Sequence, residues 1–179
     1  GNVDRIIKSN DCNGERLLLR EDIFALIAPL SFVASNIVIL ISLDMVSELH
    51  IVPLTIVKTP PAFELYISHN KITNLFVSPT LYRALHHFGP TVRQIILSSE
   101  PVSNIWSPEY RYCTIYTSSE LGILVSSFFI DKPYAATPVG KVKDWLRHKI
   151  IDDDGSEVLE GEIGELCVET PYVRGYLNL

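Results

Sequence analysis

The stretch ITNLFVSPTLYRALHHFGPTVRQIILSSE, residues 72–100, sets the fold class. Leu75-Phe76-Val77 is a short, wholly apolar run closed by Ser78-Pro79, the pattern of a strand buried on both faces. Thr80 to Phe88 follows at helical spacing, with Thr80 as the expected cap and Gly89-Pro90 as the stop. A second apolar run, Gln94 to Leu97, then restarts the strand pattern. The same rhythm extends upstream, where Ile23 to Ala28 reads as a strand and a helix is expected from about Asn36, capped by Ser35. Leu49 to Val52 is a strand ended by Pro53, and Pro60-Pro61 opens a helix over Ala62 to His69, because a missing N–H costs nothing in a first turn. Cys113 to Tyr116 adds a fifth strand downstream. Such alternation predicts an α/β fold with a largely parallel sheet flanked by helices.

Beyond Leu121 the helical pattern stops. Ile123 to Ile130, Trp145 to Ile151 and Gly164 to Glu169 read as strands, with Asp154-Gly155 as a tight hairpin signal between the last two. A β-rich, barrel-like portion is therefore expected after the α/β portion. The divisions are 1–21 as an N-terminal edge, 22–132 as the α/β subdomain and 133–179 as a partial β-rich subdomain, with no internal repeat and no low-complexity tract.

Of the 179 residues, 47% are hydrophobic, enough for a packed core and incompatible with disorder of the whole chain. Fifteen Lys and Arg against 21 Asp and Glu leave a charge of −6, and no local basic patch offsets it, so neither nucleic acid nor an anionic membrane is an expected partner. The three cysteines, Cys12, Cys113 and Cys167, are widely spaced and in no C-x-x-C pair, which fits neither a disulfide framework nor a zinc site and points to a reducing, cytoplasmic setting. The start, Gly-Asn-Val-Asp-Arg, has no signal-peptide pattern and reads as a cut edge. Ile23 to Leu43 carries no charge over a length near the roughly 20 residues of a membrane span, but Pro29, the serines within it and the acidic flanks Glu21, Asp22 and Asp44 favour a buried strand followed by a helix.

Open parallel sheets bind ligands beyond the carboxyl ends of their strands. The loops expected there are Pro29 to Ser35, Ser78-Pro79-Thr80, Ser98-Ser99-Glu100-Pro101 and Tyr116-Thr117-Ser118-Ser119-Glu120. Hydroxyls and carboxylates converging at strand ends suit phosphate oxygens and a Mg²⁺ ion. From the residue pattern, this remains any of several nucleotide-handling α/β enzymes.

Four strings narrow the choice: YTSSE at 116–120, IILSSEPVS at 95–103, TPVGKV at 137–142 and GEIGELCVETPYVRGYLNL at 161–179. In this order they resemble the adenylate-forming ligases, the superfamily of acyl-CoA synthetases, luciferases and peptide-synthetase adenylation domains, and the last group most closely, over about residues 22–179. The resemblance implies an AMP-forming ligase. A carboxylic acid attacks the α-phosphate of Mg·ATP, pyrophosphate leaves, and the acyl adenylate passes to a pantetheine thiol on a carrier protein or on CoA. It further implies that Tyr116 stacks on adenine, that Ser119 contacts the α-phosphate and that Glu120 holds Mg²⁺. Ser99, Glu100, Pro101, Thr117 and Ser118 would complete the nucleotide site. Val33, Ala34, Ile37, Phe76, Ile96, Ser98, Ile115, Ile123 and Leu124 match the acyl pocket.

The sequence departs from the family pattern at several points. Thr117 replaces the glycine of the usual YGPTE or YGSTE, Thr114 replaces an asparagine, and Ser98-Ser99 replaces a glycine pair where backbone normally approaches the nucleotide. In SFVAS, residues 31–35, Val33 stands where amino-acid-activating members carry the aspartate that pairs with the α-ammonium. A buried, unpaired ammonium would lose roughly several kcal/mol, so the expected acid lacks an α-amino group. The family places a phosphate loop upstream of residue 22 and a lysine-bearing domain after Leu179; the chain is accordingly expected to be an internal fragment, inactive alone. The alternative is a catalytically degenerate binding or scaffold module within a larger synthetase.

Plainer readings cover the rest. His86 and His87 are adjacent, about 100° apart on a helix, and unsuited to share a metal. Asp152 to Asp154 lacks the spacing of a calcium loop, and Arg174-Gly175 is expected to fix a turn.

Overall fold

The computed structural model describes residues 2–8, 10–12 and 15–170. Arg174-Gly175 lies outside the described residues. In chain order the elements are α1 (Asn2–Lys8), β1 (Asp11–Cys12), β2 (Glu15–Arg16), β3 (Ile23–Leu26), α2 (Val33–Met45), β4 (Glu48–Ile51), α3 (Leu54–Val57), α4 (Pro60–His69), β5 (Asn74–Val77), α5 (Pro79–Ala84), β6 (Gln94–Leu97), β7 (Arg111–Ser118), β8 (Ile123–Ile130), β9 (Lys141–Val142), β10 (Arg147–Ile151) and β11 (Glu165–Glu169).

The main sheet has seven strands in the order β4-β3-β5-β6-β7-β8-β9. The first five are mutually parallel, as the alternating pattern predicts, and β8 and β9 are added antiparallel. The chain steps one way from β3 to β4 and the other way from β4 through β5 to β6, so crossovers of a single hand place their helices on opposite faces. Strand alternation delivers matching side chains to each face. Phe24, Leu26, Phe76, Ile96 and Cys113 pack against α2 through Val33, Ala34, Ile37, Val38 and Ile41. Ala25, Leu75, Val77, Ile95 and Leu97 pack on the other face against Phe63 and Ile67 of α4. Asp22, at the foot of β3, is buried and accepts hydrogen bonds from the Leu19 amide (2.6 Å), the Thr73 hydroxyl (3.2 Å) and Arg93 Nε (3.1 Å).

Several boundaries differ from those read in the sequence. Helix α2 begins at Val33 rather than Asn36, and Ser35 is not its cap: the hydroxyl donates to the carbonyls of Ala28 (3.0 Å) and Pro29 (2.8 Å), tying down the loop after β3. Helix α5 is capped by Ser78, whose hydroxyl accepts from the Leu81 amide (3.2 Å), and not by Thr80. It stops at Ala84 because the amides of His86 and His87 donate to the Glu64 carboxylate of α4 instead of to helical carbonyls. Between Pro53 and Pro60 a single turn, α3, forms where no helix is expected. The uncharged segment 23–43 resolves into β3 and the 13-residue α2, and among the described residues no helix is long and apolar enough to cross a membrane.

Among the described residues, β9 pairs with β8 and so continues the main sheet, and the expected division between 132 and 133 lies in the connection from β8 to β9. Strands β10 and β11 form a separate hairpin whose Leu166 and Val168 pack with Trp145 against Ile123, Val125, Val142 and Leu146. Asp154-Gly155 makes a tight turn, yet it closes only the Ile151–Glu157 bridge, and a further loop leads to β11.

Candidate active-site cleft

The loops after β6 and β7 open at the carboxyl edge of the sheet. Between them lies a cleft of about 400 Å³, at the point where parallel pairing gives way to antiparallel. One wall is Ser98, Ser99, Glu100, Pro101 and Val102, which leave β6 in a sharp bend. Ser98 is buried and its amide reaches the Val77 carbonyl at 3.4 Å. Ser99 sits at φ 74°, in the left-handed region that suits glycine and that L side chains seldom adopt.

The floor is Thr114, Ile115, Tyr116 and Thr117 of β7. Tyr116 is 42% exposed and leaves ring surface open to the cleft, while Thr114 is buried. The Thr117 hydroxyl donates to the Ile123 carbonyl across a bulge, where Tyr116 pairs with Ser126 but Thr117 pairs with Leu124, leaving Val125 over. Ser118 ends β7, and Ser119 and Glu120 begin the turn that follows. The Ser118 hydroxyl accepts from the Leu121 amide (3.3 Å) and its carbonyl from the Gly122 amide (3.1 Å), closing the turn, whereas Ser119 and Glu120 are exposed and do not line the cleft.

The far wall, Ala136, Thr137 and Val139, was not read as a site from the sequence, although TPVGKV at 137–142 contains two of its three residues. The strap is held by the Thr137 amide on the Val102 carbonyl (3.0 Å) and by the Ser126 hydroxyl on the Val139 carbonyl (2.7 Å). Gly140 lets it turn: at φ 88°, a Cβ there would stand 2.0 Å from the Ser127 carbonyl oxygen. The signal that could have exposed this wall was that glycine, set just before a strand.

The residues matched to an acyl pocket divide into three groups. Ala34, Ile37, Phe76, Ile96, Ile115 and Leu124 surround a cavity of only about 20 Å³ under α2, close to the space of a single water. Val33 belongs to the same buried cluster, and Ser98 lines the larger cleft instead. Ile123 does not join them: its side chain points away from its neighbour Leu124 and packs with Val125, Val142 and Leu146 under the β10–β11 hairpin. Ile115 lines both spaces and is the partition between them.

Glu100 is the carboxylate on the cleft wall. Its Oε2 accepts from the Thr80 hydroxyl (2.7 Å) and the Thr80 amide (3.2 Å), and the hydroxyl bonds of Thr80 and Ser78 hold its carboxyl below the usual range. Among the described residues no group of three or more His, Cys, Asp or Glu could hold a metal.

An open α/β sheet with a ligand-sized, mostly apolar cleft at its strand ends, edged by hydroxyls, defines a small-molecule-binding fold of the nucleotide-handling kind. The chain belongs to the AMP-binding enzyme family, whose sequence model matches residues 3–177. It is 28% identical over 167 residues to tyrocidine synthase 1 of Brevibacillus parabrevis, a match covering 88% of this chain and 15% of that protein. Solved structures with the same fold include IdnL1 (TM-score 0.76, 22% identity, 88% of this chain and 36% of that one). CmiS6 aligns with TM-score 0.73 at 22% identity, covering 88% and 42%. NpsA-ThdA, an artificially fused adenylation–PCP di-domain from Klebsiella oxytoca, aligns with TM-score 0.70 at 19% identity, covering 96% and 34%. The chain thus spans well under half of each of these relatives.

Proposed function

We propose that the chain is the central part of a cytoplasmic AMP-forming ligase that joins a carboxylic acid to AMP and passes the acyl group to a pantetheine thiol, on a carrier protein or on CoA. The observation that carries this reading is the cleft between the β6 and β7 loops, in a chain that the family matches over residues 3–177. In this reading Tyr116 stacks its open face on adenine and the Ser98–Pro101 bend lines the base. Ser119 donates to an α-phosphate oxygen, and Glu120 orients the cation that neutralises pyrophosphate as it leaves. Phosphoryl transfer of this kind needs position and charge compensation more than covalent help from the protein. Val33 in place of an aspartate supports an acid without an α-amino group. Residues 1–179 would depend on the flanking parts of a longer enzyme and form no adenylate by themselves.

One observation favours a second reading. The roughly 20 Å³ space under α2 is too small for an acyl chain, as in a module that has lost its chemistry and serves as a binding or scaffold element. ATP–pyrophosphate exchange on the full-length protein with a panel of acids separates the two. The ligase reading expects exchange with amine-free acids, little with ordinary L-amino acids, and a drop of at least about tenfold in Glu120→Gln. Exchange with ordinary L-amino acids alone would contradict the substrate assignment, and nucleotide binding without exchange on any acid would leave the scaffold reading.

A further inference from the structure

The bend after β6 carries a cost and a clamp. Ser99 holds a left-handed backbone without being glycine, and the loop from Ser98 to Ser103 is stapled to α5 at two points. At the near point Glu100 Oε2 accepts from both the hydroxyl and the amide of Thr80; at the far point Arg83 donates to the Ser103 carbonyl (3.0 Å). Helix α5 is a firm anchor because Tyr82 stacks on Phe88 (centroids 5.3 Å apart) and its hydroxyl meets that of buried Tyr112 on β7 at 2.9 Å. The oxygen that takes both Thr80 bonds therefore faces α5. The resemblance to a known family places Glu100 among the nucleotide contacts, whereas its observed partners belong to the protein.

We propose that Glu100 is a positioning residue: through Thr80 it locks the Ser98–Pro101 wall against α5, and so shapes the nucleotide cleft without touching the ligand. The lowering of its carboxyl pKa, chiefly by the Thr80 hydroxyl bond, agrees, since an ionised acceptor makes the stronger hydrogen bonds. This inference rests on the nucleotide-binding reading above and adds the device that preorganises the wall. Release of the clamp lets the strained Ser99 bend relax, so the cost falls on binding more than on stability, because Glu100 is itself exposed.

The test is titration of the full-length protein with N-methylanthraniloyl-ATP, for the unsubstituted chain and for Glu100→Ala, Glu100→Gln and Thr80→Val, with thermal unfolding alongside. Glu100→Ala is expected to weaken binding about tenfold with a melting temperature within a few degrees of the parent. Glu100→Gln keeps an amide oxygen in the same place and should recover binding to within about threefold. Thr80→Val should weaken it by an intermediate factor and add nothing in the Glu100→Ala background. Two results overturn the clamp: unchanged binding in Glu100→Ala, or Glu100→Gln as weak as Glu100→Ala, which would make the charge itself a ligand or metal contact. If Glu100→Ala fails to fold, Thr80→Val decides, and unchanged binding there refutes the proposal. Absence of binding by the unsubstituted protein overturns the nucleotide reading first and this inference with it.

Discussion

Replacing Gly140 by alanine tests the strap that forms the far wall of the cleft. The residue sits at φ 88°, and an added Cβ would stand 2.0 Å from the Ser127 carbonyl oxygen and 2.5 Å from its carbon. An ordinary carbon–oxygen contact is about 3.3 Å or more, so the strap must move by over about 1 Å. The left-handed backbone alone costs an L-residue about 1–2 kcal/mol. Displacement breaks the short β8–β9 pairing, Ser126 to Val142 and Ser127 to Lys141, at about 1 kcal/mol for each bond lost. The total is about 3–4 kcal/mol, a fall of about 6–16 °C in Tm for a chain of this size. Gly155 is the internal control: its φ is 80°, but nothing lies within 4 Å of its missing Cβ, so Gly155→Ala should lose only the backbone cost of about 1–2 kcal/mol, or about 2–8 °C. Thermal unfolding followed by circular dichroism reads both. Equal shifts in the two variants would refute the close approach of strap to sheet.

Three further outcomes are expected. Ser99→Gly removes a left-handed serine at the price of chain entropy, and should leave Tm unchanged or raise it by up to about 3 °C in a melting scan. Asp22→Ala strips the buried acceptor from Leu19, Thr73 and Arg93; since Arg93 is half-exposed and can rehydrate, the loss in urea unfolding should be about 3 kcal/mol, near the low end for a broken buried pair. Glu64 is held below its ordinary value of 4.5, chiefly by the His86 backbone N–H, so the folded state favours its ionised form. Its contribution is complete above that value and is lost as the pH falls through the lowered folded value. Glu64→Gln should therefore lower stability in the neutral region, where the parent has the full contribution, and converge with the parent at acid pH, so that the acid limb of a stability–pH curve is flatter.

The parallel sheet was legible because strands such as Asn74–Val77 and Gln94–Leu97 carry three consecutive apolar residues, are buried on both faces and are followed by serine. Helix ends were harder, because they depend on long-range hydrogen bonds. Ser35 looks like a cap in sequence but is drawn inward to two loop carbonyls, and α5 ends early because Glu64, 22 residues before His86, captures the next amides. The two cleft loops could be located from the rule that ligands sit at strand ends. The third wall could not, since Ala136 to Val139 is brought there by β9 pairing with β8, a contact that local pattern does not encode. Ile123 was placed with Leu124 by alignment alone, and strand alternation separates the two.

Photolabelling with 8-azido-ATP, followed by peptide mapping of the full-length protein, asks most directly whether the β6–β7 opening is where nucleotide sits. Label on peptides covering residues 98–102 and 114–118, suppressed by excess ATP, is the expected result. Label that ATP does not displace, or that falls instead on the β10–β11 hairpin, would contradict the assignment of this cleft.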